Sequence, residues 1–211
     1  MVDEGTRRAY LNPDNPLRAS IVADPAGARK NTKDNTPSVV HIDMVPGEKI
    51  EVMIAAKGGG SENKSKMVML NPSDDIADWV VKTLPTMGAG WCPPGMLGIG
   101  IGGTAEKAAV LAKESLMDPV DIQELIERGP ETTDEKLRLE IFDRVNRLGI
   151  GAQGLGGLTT VVDVKIKSLP THAASKPVAM IPNCAATRHA HFYLDGSGPA
   201  ELTPPKLEDW P

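Results

Sequence analysis

Met96-Leu97-Gly98-Ile99-Gly100-Ile101-Gly102-Gly103 (MLGIGIGG) runs straight into Thr104 and the Ala-, Lys- and Glu-rich stretch Ala105–Leu116. An apolar run ending in glycine, a Thr at the N-cap position and a row of good helix formers read as a buried strand followed by a helix. Downstream, Thr132 or Thr133 opens a second helix, Asp134–Leu148, with Leu137, Ile141, Val145 and Leu148 at helical spacing. Thr159–Leu169, Val178–Ile181 and His189–Leu194 read as strands. Upstream, Val39–Val45 alternates and is β-branched, Pro46-Gly47-Glu48 is a turn, and Lys49–Ala56 reads as the hairpin partner. Met67–Leu70 is a short apolar run, and Ser73 or Asp74 caps a helix reaching about Leu84. Strands alternate with helices, so the class is α/β: mixed sheets flanked by helices, with glycine-rich loops at the active-site edge.

The 211 residues include 23 Lys+Arg against 28 Asp+Glu, a net charge of −5, and 40% of them are apolar. That is enough apolar matter for a core and too much for a disordered chain. Aromatics are only 3%, so Val, Ile, Leu, Met and Ala must build the interior. A mildly acidic chain argues against a nucleic-acid partner, which usually meets a basic face. No apolar window approaches the roughly 18 residues of a membrane span, and the first residues lack a signal-peptide pattern. With two cysteines, Cys92 and Cys184, this is no disulfide scaffold, and a cytoplasmic, reducing compartment is the default.

Met1–Tyr10 reads as the end of a helix, and Leu11–Pro37 as a long irregular stretch. Such stretches are uncommon unless functional or packed on something else. Residues 1–37 therefore read as the remnant of a larger domain, 38–198 as the core, and 199–211, with Pro204-Pro205, as a linker.

Several segments can carry chemistry. Gly98, Gly100 and Gly103 satisfy the dinucleotide-binding G-x-G-x-x-G spacing, but the first two fall inside the strand and no acidic residue ends a following strand. Close strand–helix packing is the better reading. Lys57-Gly58-Gly59-Gly60-Ser61 can form a concave row of backbone N–H groups that binds a carboxylate or phosphate, with Lys57 adding charge. Asn63-Lys64-Ser65 matches a glycosylation sequon that is idle without a secretory signal. Cys92, before Pro93-Pro94, and Cys184, in Pro182-Asn183-Cys184-Ala185, both occupy irregular backbone, and thiolates favour zinc or iron–sulfur clusters. His189 and His191 alternate on one strand face and offer zinc a site with Cys184, while His41 reads as structural or exposed. His172 sits in a loop of small residues, where an imidazole can reach a ligand or shuttle a proton. Arg18 can pair bidentately with a carboxylate.

Taken in order, Ala56–Ser61 (AKGGGS), Cys92-Pro93-Pro94, Gly102-Gly103-Thr104, Gly149–Gly154 (GIGAQG), Leu169-Pro170-x-His172-x-Ala174-Ser175 and Cys184 resemble the class I fumarase family. These are the iron–sulfur hydro-lyases that include L(+)-tartrate dehydratase. The six blocks are specific as a set and span roughly Leu17 to Cys184, the larger part of the family's N-terminal, or alpha, region. The resemblance implies a 4Fe–4S cluster held by three cysteines. Its open iron would act as a Lewis acid in the reversible hydration of fumarate to L-malate, a step of the tricarboxylic acid cycle. It implies cluster ligation by Cys92 and Cys184, substrate binding by Arg18, Lys57 and the Gly60 backbone, and substrate contact or proton transfer by His172. One pocket, lined by glycine amides and that imidazole, would gather both thiols. A homodimer is implied as well.

The chain departs from the family pattern at both ends. The Cys-Gln-Asp-Thr-Gly block with the third ligand is missing, and so is the beta region with further substrate residues. An absent beta region or beta subunit is therefore the expected partner, and the chain alone is expected to be inactive. A tartrate dehydratase alpha subunit, or a non-catalytic remnant that binds a dicarboxylate or a partner chain, are the alternatives.

Overall fold

A computed structural model describes residues 1–198, so the expected linker 199–211 lies outside the described residues. The chain divides into two units, Met1–Glu48 and Lys49 onward. The composition had suggested the junction after Pro37.

In the first unit, α1 (Val2–Leu11) buries none of its residues. The irregular stretch expected after it is present, relieved by one short antiparallel pair, β1 (Val22–Ala23) with β2 (Lys30–Asn31). Polar side chains hold it in place of a core. Asn35 Oδ1 accepts from the Ser20 N–H at 2.8 Å, Arg7 pairs with Asp34 at 3.0 Å, and Asp3 accepts from the Ser38 N–H at 2.8 Å. Val39–Val45 is not a strand: it has no ladder partner and stays exposed, Val39 at 87% and Met44 at 93%. β-branched alternation describes a surface that fits a sheet, and without a neighbouring strand the sheet does not form.

The second unit is built on a four-stranded sheet. Its strands are β4 (Lys66–Leu70), β5 (Gly95–Gly102), β6 (Val161–Leu169) and β7 (Lys176–Cys184), in the order β4-β7-β5-β6. β6 runs parallel to β5, and β7 antiparallel to both β5 and β4. The α/β class with mixed sheets is therefore present. The alternation of β5 decides the layers. Leu97 and Ile99 point into one core with α3 (Ile76–Thr83) and α6 (Thr133–Asn146), where Val80, Ile141 and Val145 are fully buried. Gly98 and Gly100 face α4 (Ala105–Ser115) on the other side. A Cβ at Gly98 would lie 2.2 Å from the Ala112 carbonyl oxygen, and one at Gly100 1.9 Å from that of Ala108. The glycines let helix and sheet approach closely, which explains the dinucleotide-like spacing without a nucleotide.

Helix starts follow local chemistry. Thr132 and Glu135 form a reciprocal capping box at α6. Asp75, one residue past the expected cap, accepts from the Asp78 N–H at 2.7 Å and starts α3. Beneath α6 and the short α5 (Ile122–Arg128), the buried Asp163 is paired with Lys165 at 2.8 Å and Arg138 at 3.2 Å, so none of these three buried charges stands alone.

A separate two-stranded ribbon joins β3 (Ile50–Ala55) to β8 (His189–Leu194), Ile50 facing Leu194 and Ala55 facing His189. β3 was expected to pair with Val39–Val45; its partner comes from the far end of the sequence. Among the described residues no helix is long and apolar enough to cross a membrane.

Candidate active site

The sheet brings the two cysteines to one edge. Cys184 is the last residue of β7 and faces Gly95, the first residue of β5. Cys92 lies three residues before Gly95, so its Cα is no more than about 16 Å from that of Cys184, from chain reach plus one cross-strand spacing. Cys92 is exposed and left-handed at φ 58°, and its N–H donates to Ala89 at 2.9 Å. The preceding Trp91 is fully buried and anchors the turn in the core. Cys184 is half-buried.

Two loops pack on the Cys92 turn. Lys57-Gly58 leads into α2, a single turn over Gly59–Glu62. Gly58–Gly60 have no left-handed residue, so the concave nest expected from three glycines is replaced by this turn. A Cβ on Gly60 would stand 2.7 Å from the Gly90 carbonyl oxygen, so this position admits only glycine. On the other side the Gln153 N–H donates to the Pro93 carbonyl at 2.7 Å. The loop carrying Gln153 is closed at its neck by Asn146. Its Oδ1 accepts from the N–H groups of Thr160 at 2.7 Å and Val161 at 2.9 Å.

Lys57 is mostly buried. Its Nζ donates to Ser61 Oγ at 2.8 Å and lies 3.3 Å from Glu62, which Lys113 also engages. Burial pushes the Lys57 pKa down, against the opposing pull of Glu62 and the Cys184 thiol. Burial raises the pKa of Glu62, but the hydrogen bond from Lys113 and the nearby ammoniums outweigh it and hold the group below its ordinary value.

His172 is elsewhere. Its loop precedes Lys176, at the opposite end of β7 from Cys184, and nine residues of strand span about 27 Å. There Thr171 Oγ1 donates to the Gly103 carbonyl at 2.9 Å, and His172 Nδ1 accepts from the Ala174 N–H at 3.1 Å. The single pocket expected to join both thiols to this imidazole does not exist within one chain. Arg18 is exposed in the first unit, its carbonyl accepting from Ser20 Oγ at 3.3 Å. His191 bonds Glu51 at 2.7 Å, and burial together with Arg188 lowers the pKa of His189. Among the described residues no three His, Cys, Asp or Glu side chains gather to hold a metal, which leaves the zinc alternative without a site. Two thiols on one edge fit part of a cluster-binding set. They do not complete one, since such clusters usually take four thiolates and the chain has no further cysteine.

Sequence reasoning missed Gln153, Glu62 and Arg188. Gln153 was readable: it is the one polar side chain in the glycine loop Gly149–Gly157, and the fold holds it left-handed at φ 54°. Arg188, four residues after Cys184, carries no local signal.

Residues 1–193 match the family model described as fumarate hydratase (fumerase). A Methanocaldococcus jannaschii relative, provisionally named L(+)-tartrate dehydratase subunit alpha, is 37% identical over 195 residues, covering 90% of this chain and 66% of the relative. An Escherichia coli L(+)-tartrate dehydratase subunit alpha is 33% identical over 193 residues, covering 89% of this chain and 60% of the relative. The Shigella sonnei subunit of the same name is 32% identical over 193 residues. The chain thus spans less than two thirds of the length of these curated relatives.

Proposed function

The chain belongs to the fumarate hydratase family, and from that premise we propose that it is the alpha part of an iron–sulfur hydro-lyase, a fumarate hydratase acting reversibly between fumarate and L-malate. The observation that carries the reading is the shared edge: Cys92, Cys184, Lys57 and Gly60 stand at the same end of β5 and β7. A second reading, an L(+)-tartrate dehydratase alpha subunit, is favoured by the names of the relatives.

The chain's own residues supply placement and charge. Cys92 and Cys184 would be two of the ligands of a 4Fe–4S cluster, and further thiolate ligation has to come from outside these 211 residues. Lys57 contributes a buried ammonium beside Cys184, held by Ser61 and Glu62 so that it cannot swing away. The Gly60 backbone approaches the substrate at a position where any side chain would push the loop off the Cys92 turn. Arg18 is a carboxylate anchor on the first unit. His172 serves as substrate contact or proton carrier only across a boundary between chains, because β7 holds it away from its own Cys184. That requirement favours a homodimer. A beta subunit completes the enzyme, and the chain alone turns over nothing.

The test is anaerobic reconstitution of the chain with iron and sulfide, alone and together with a beta subunit of the same family. Fumarate, L-malate and L(+)-tartrate are the substrates. The expected result is fumarate hydration by the assembled enzyme only. Dehydration of tartrate in preference to malate selects the second reading, and conversion of none of the three overturns both.

A further inference from the structure

Arginines in the second unit are matched with carboxylates, with one exception. Arg128 pairs with Glu135, Arg138 with Asp121 and Asp163, Arg144 with Asp78 and Glu140, and Arg147 with Asp143. Arg188 has no acidic partner among the described residues, and it stands four residues past Cys184.

Its position is fixed nonetheless. The Arg188 carbonyl accepts from the Ala56 N–H at 2.9 Å, and its Nε donates to the Ala56 carbonyl at 3.0 Å. Ala56 is the residue before Lys57. The Nη2 end comes within 3.7 Å of where a side chain on Gly58 would begin. Arg188 is exposed, its guanidinium is tied down by Nε, and its two terminal nitrogens make no hydrogen bond among the described residues, leaving the end-on fork that meets both oxygens of a carboxylate. Lys57 cannot take that part as easily, because Glu62 and Ser61 already hold its ammonium. We infer that Arg188 is a carboxylate-binding residue of the thiol edge, gripping one end of the dicarboxylate over the Gly58 backbone. This deepens the dicarboxylate reading above and rests on it.

Arginine-selective labelling with phenylglyoxal, read peptide by peptide on the intact 211-residue chain, tests the assignment without turnover. Arg188 should label rapidly in buffer, and fumarate, L-malate or L(+)-tartrate should slow it severalfold, while chloride at equal ionic strength should not. Labelling of the exposed Arg29, remote in sequence, should stay constant as the internal control. In the assembled enzyme, Arg188→Gln should raise KM by roughly 10- to 100-fold, the size of one charge-assisted bidentate contact, with a smaller change in kcat. Arg188→Lys, which keeps the charge and loses the fork, should fall between. Labelling of Arg188 that is indifferent to all three dicarboxylates overturns the assignment. A failure of the hydro-lyase reading shows itself separately, as an assembled enzyme without turnover.

Discussion

Gly60 lies so close to the carbonyl oxygen of Gly90 that an added Cβ would stand 2.7 Å from it. The glycine loop and the Cys92 turn are therefore one packed unit, and Gly60→Ala must separate them or shift the turn. The expected outcome is a small loss of stability, about 1–3 kcal/mol as for other overpacked sites. In the assembled enzyme the loss of turnover should be far larger than that. Urea unfolding beside steady-state kinetics reads both; unchanged kinetics would show that the loop takes no part in the site.

Gly100→Ala should be damaging for the opposite reason, because it strikes the scaffold. The new methyl group would meet the Ala108 carbonyl at 1.9 Å and force α4 off the sheet. We expect a loss of about 3 kcal/mol or more, since backbone on both sides leaves nothing flexible to yield. Calorimetric melting of the two proteins checks it.

Glu135 carries a pH signature. The Arg128 guanidinium, with the N–H groups of Glu131 and Thr132, holds its carboxyl down to about 2. A group depressed in the folded state stabilises above its ordinary value, near 4.5, and loses that contribution as pH falls through the folded value. Wild type should therefore exceed Glu135→Gln in stability at neutral pH. The gap should shrink below about pH 4.5 and close near pH 2, read by urea unfolding at a series of pH values. A gap that does not move with pH would assign the effect to packing.

The two ends of β7 should separate metal retention from the imidazole. Cys92→Ser and Cys184→Ser should each lower the iron and sulfide content of the anaerobically assembled enzyme, whereas His172→Asn should leave it unchanged. Co-assembling His172→Asn with Cys184→Ser should restore some turnover if the imidazole works across chains. Absence of any rescue while each wild-type control is active would rule out action across chains, and full turnover by His172→Asn assembled alone would place His172 outside the reaction.

The β5–α4 unit was legible because its signals are local: an apolar run, glycines, Thr104 as a cap and a helical composition. α6 announced itself through Thr132 and its apolar spacing. The β3–β8 ribbon was not legible, since Ile50 meets Leu194 across most of the chain and nothing near either residue names the other. The length of β7 was lost to its prolines. Pro177 and Pro182 lie inside a nine-residue strand, where proline ordinarily argues against a strand, so the local strand signal covers only Val178–Ile181. That shortening made His172 and Cys184 look like neighbours. Arg188 depends on a hydrogen bond to Ala56 that only the fold creates.

Asn146 has no chemistry of its own, yet it sits at the head of a chain of fixings that reaches the exposed Cys92 sulfur. Its amide clasps Thr160 and Val161, the clasped segment presents Gln153, and Gln153 steadies Pro93 beside Cys92. Tuning of the thiol's position can therefore be achieved from the C-terminal turn of α6, by changes that touch neither ligand nor substrate.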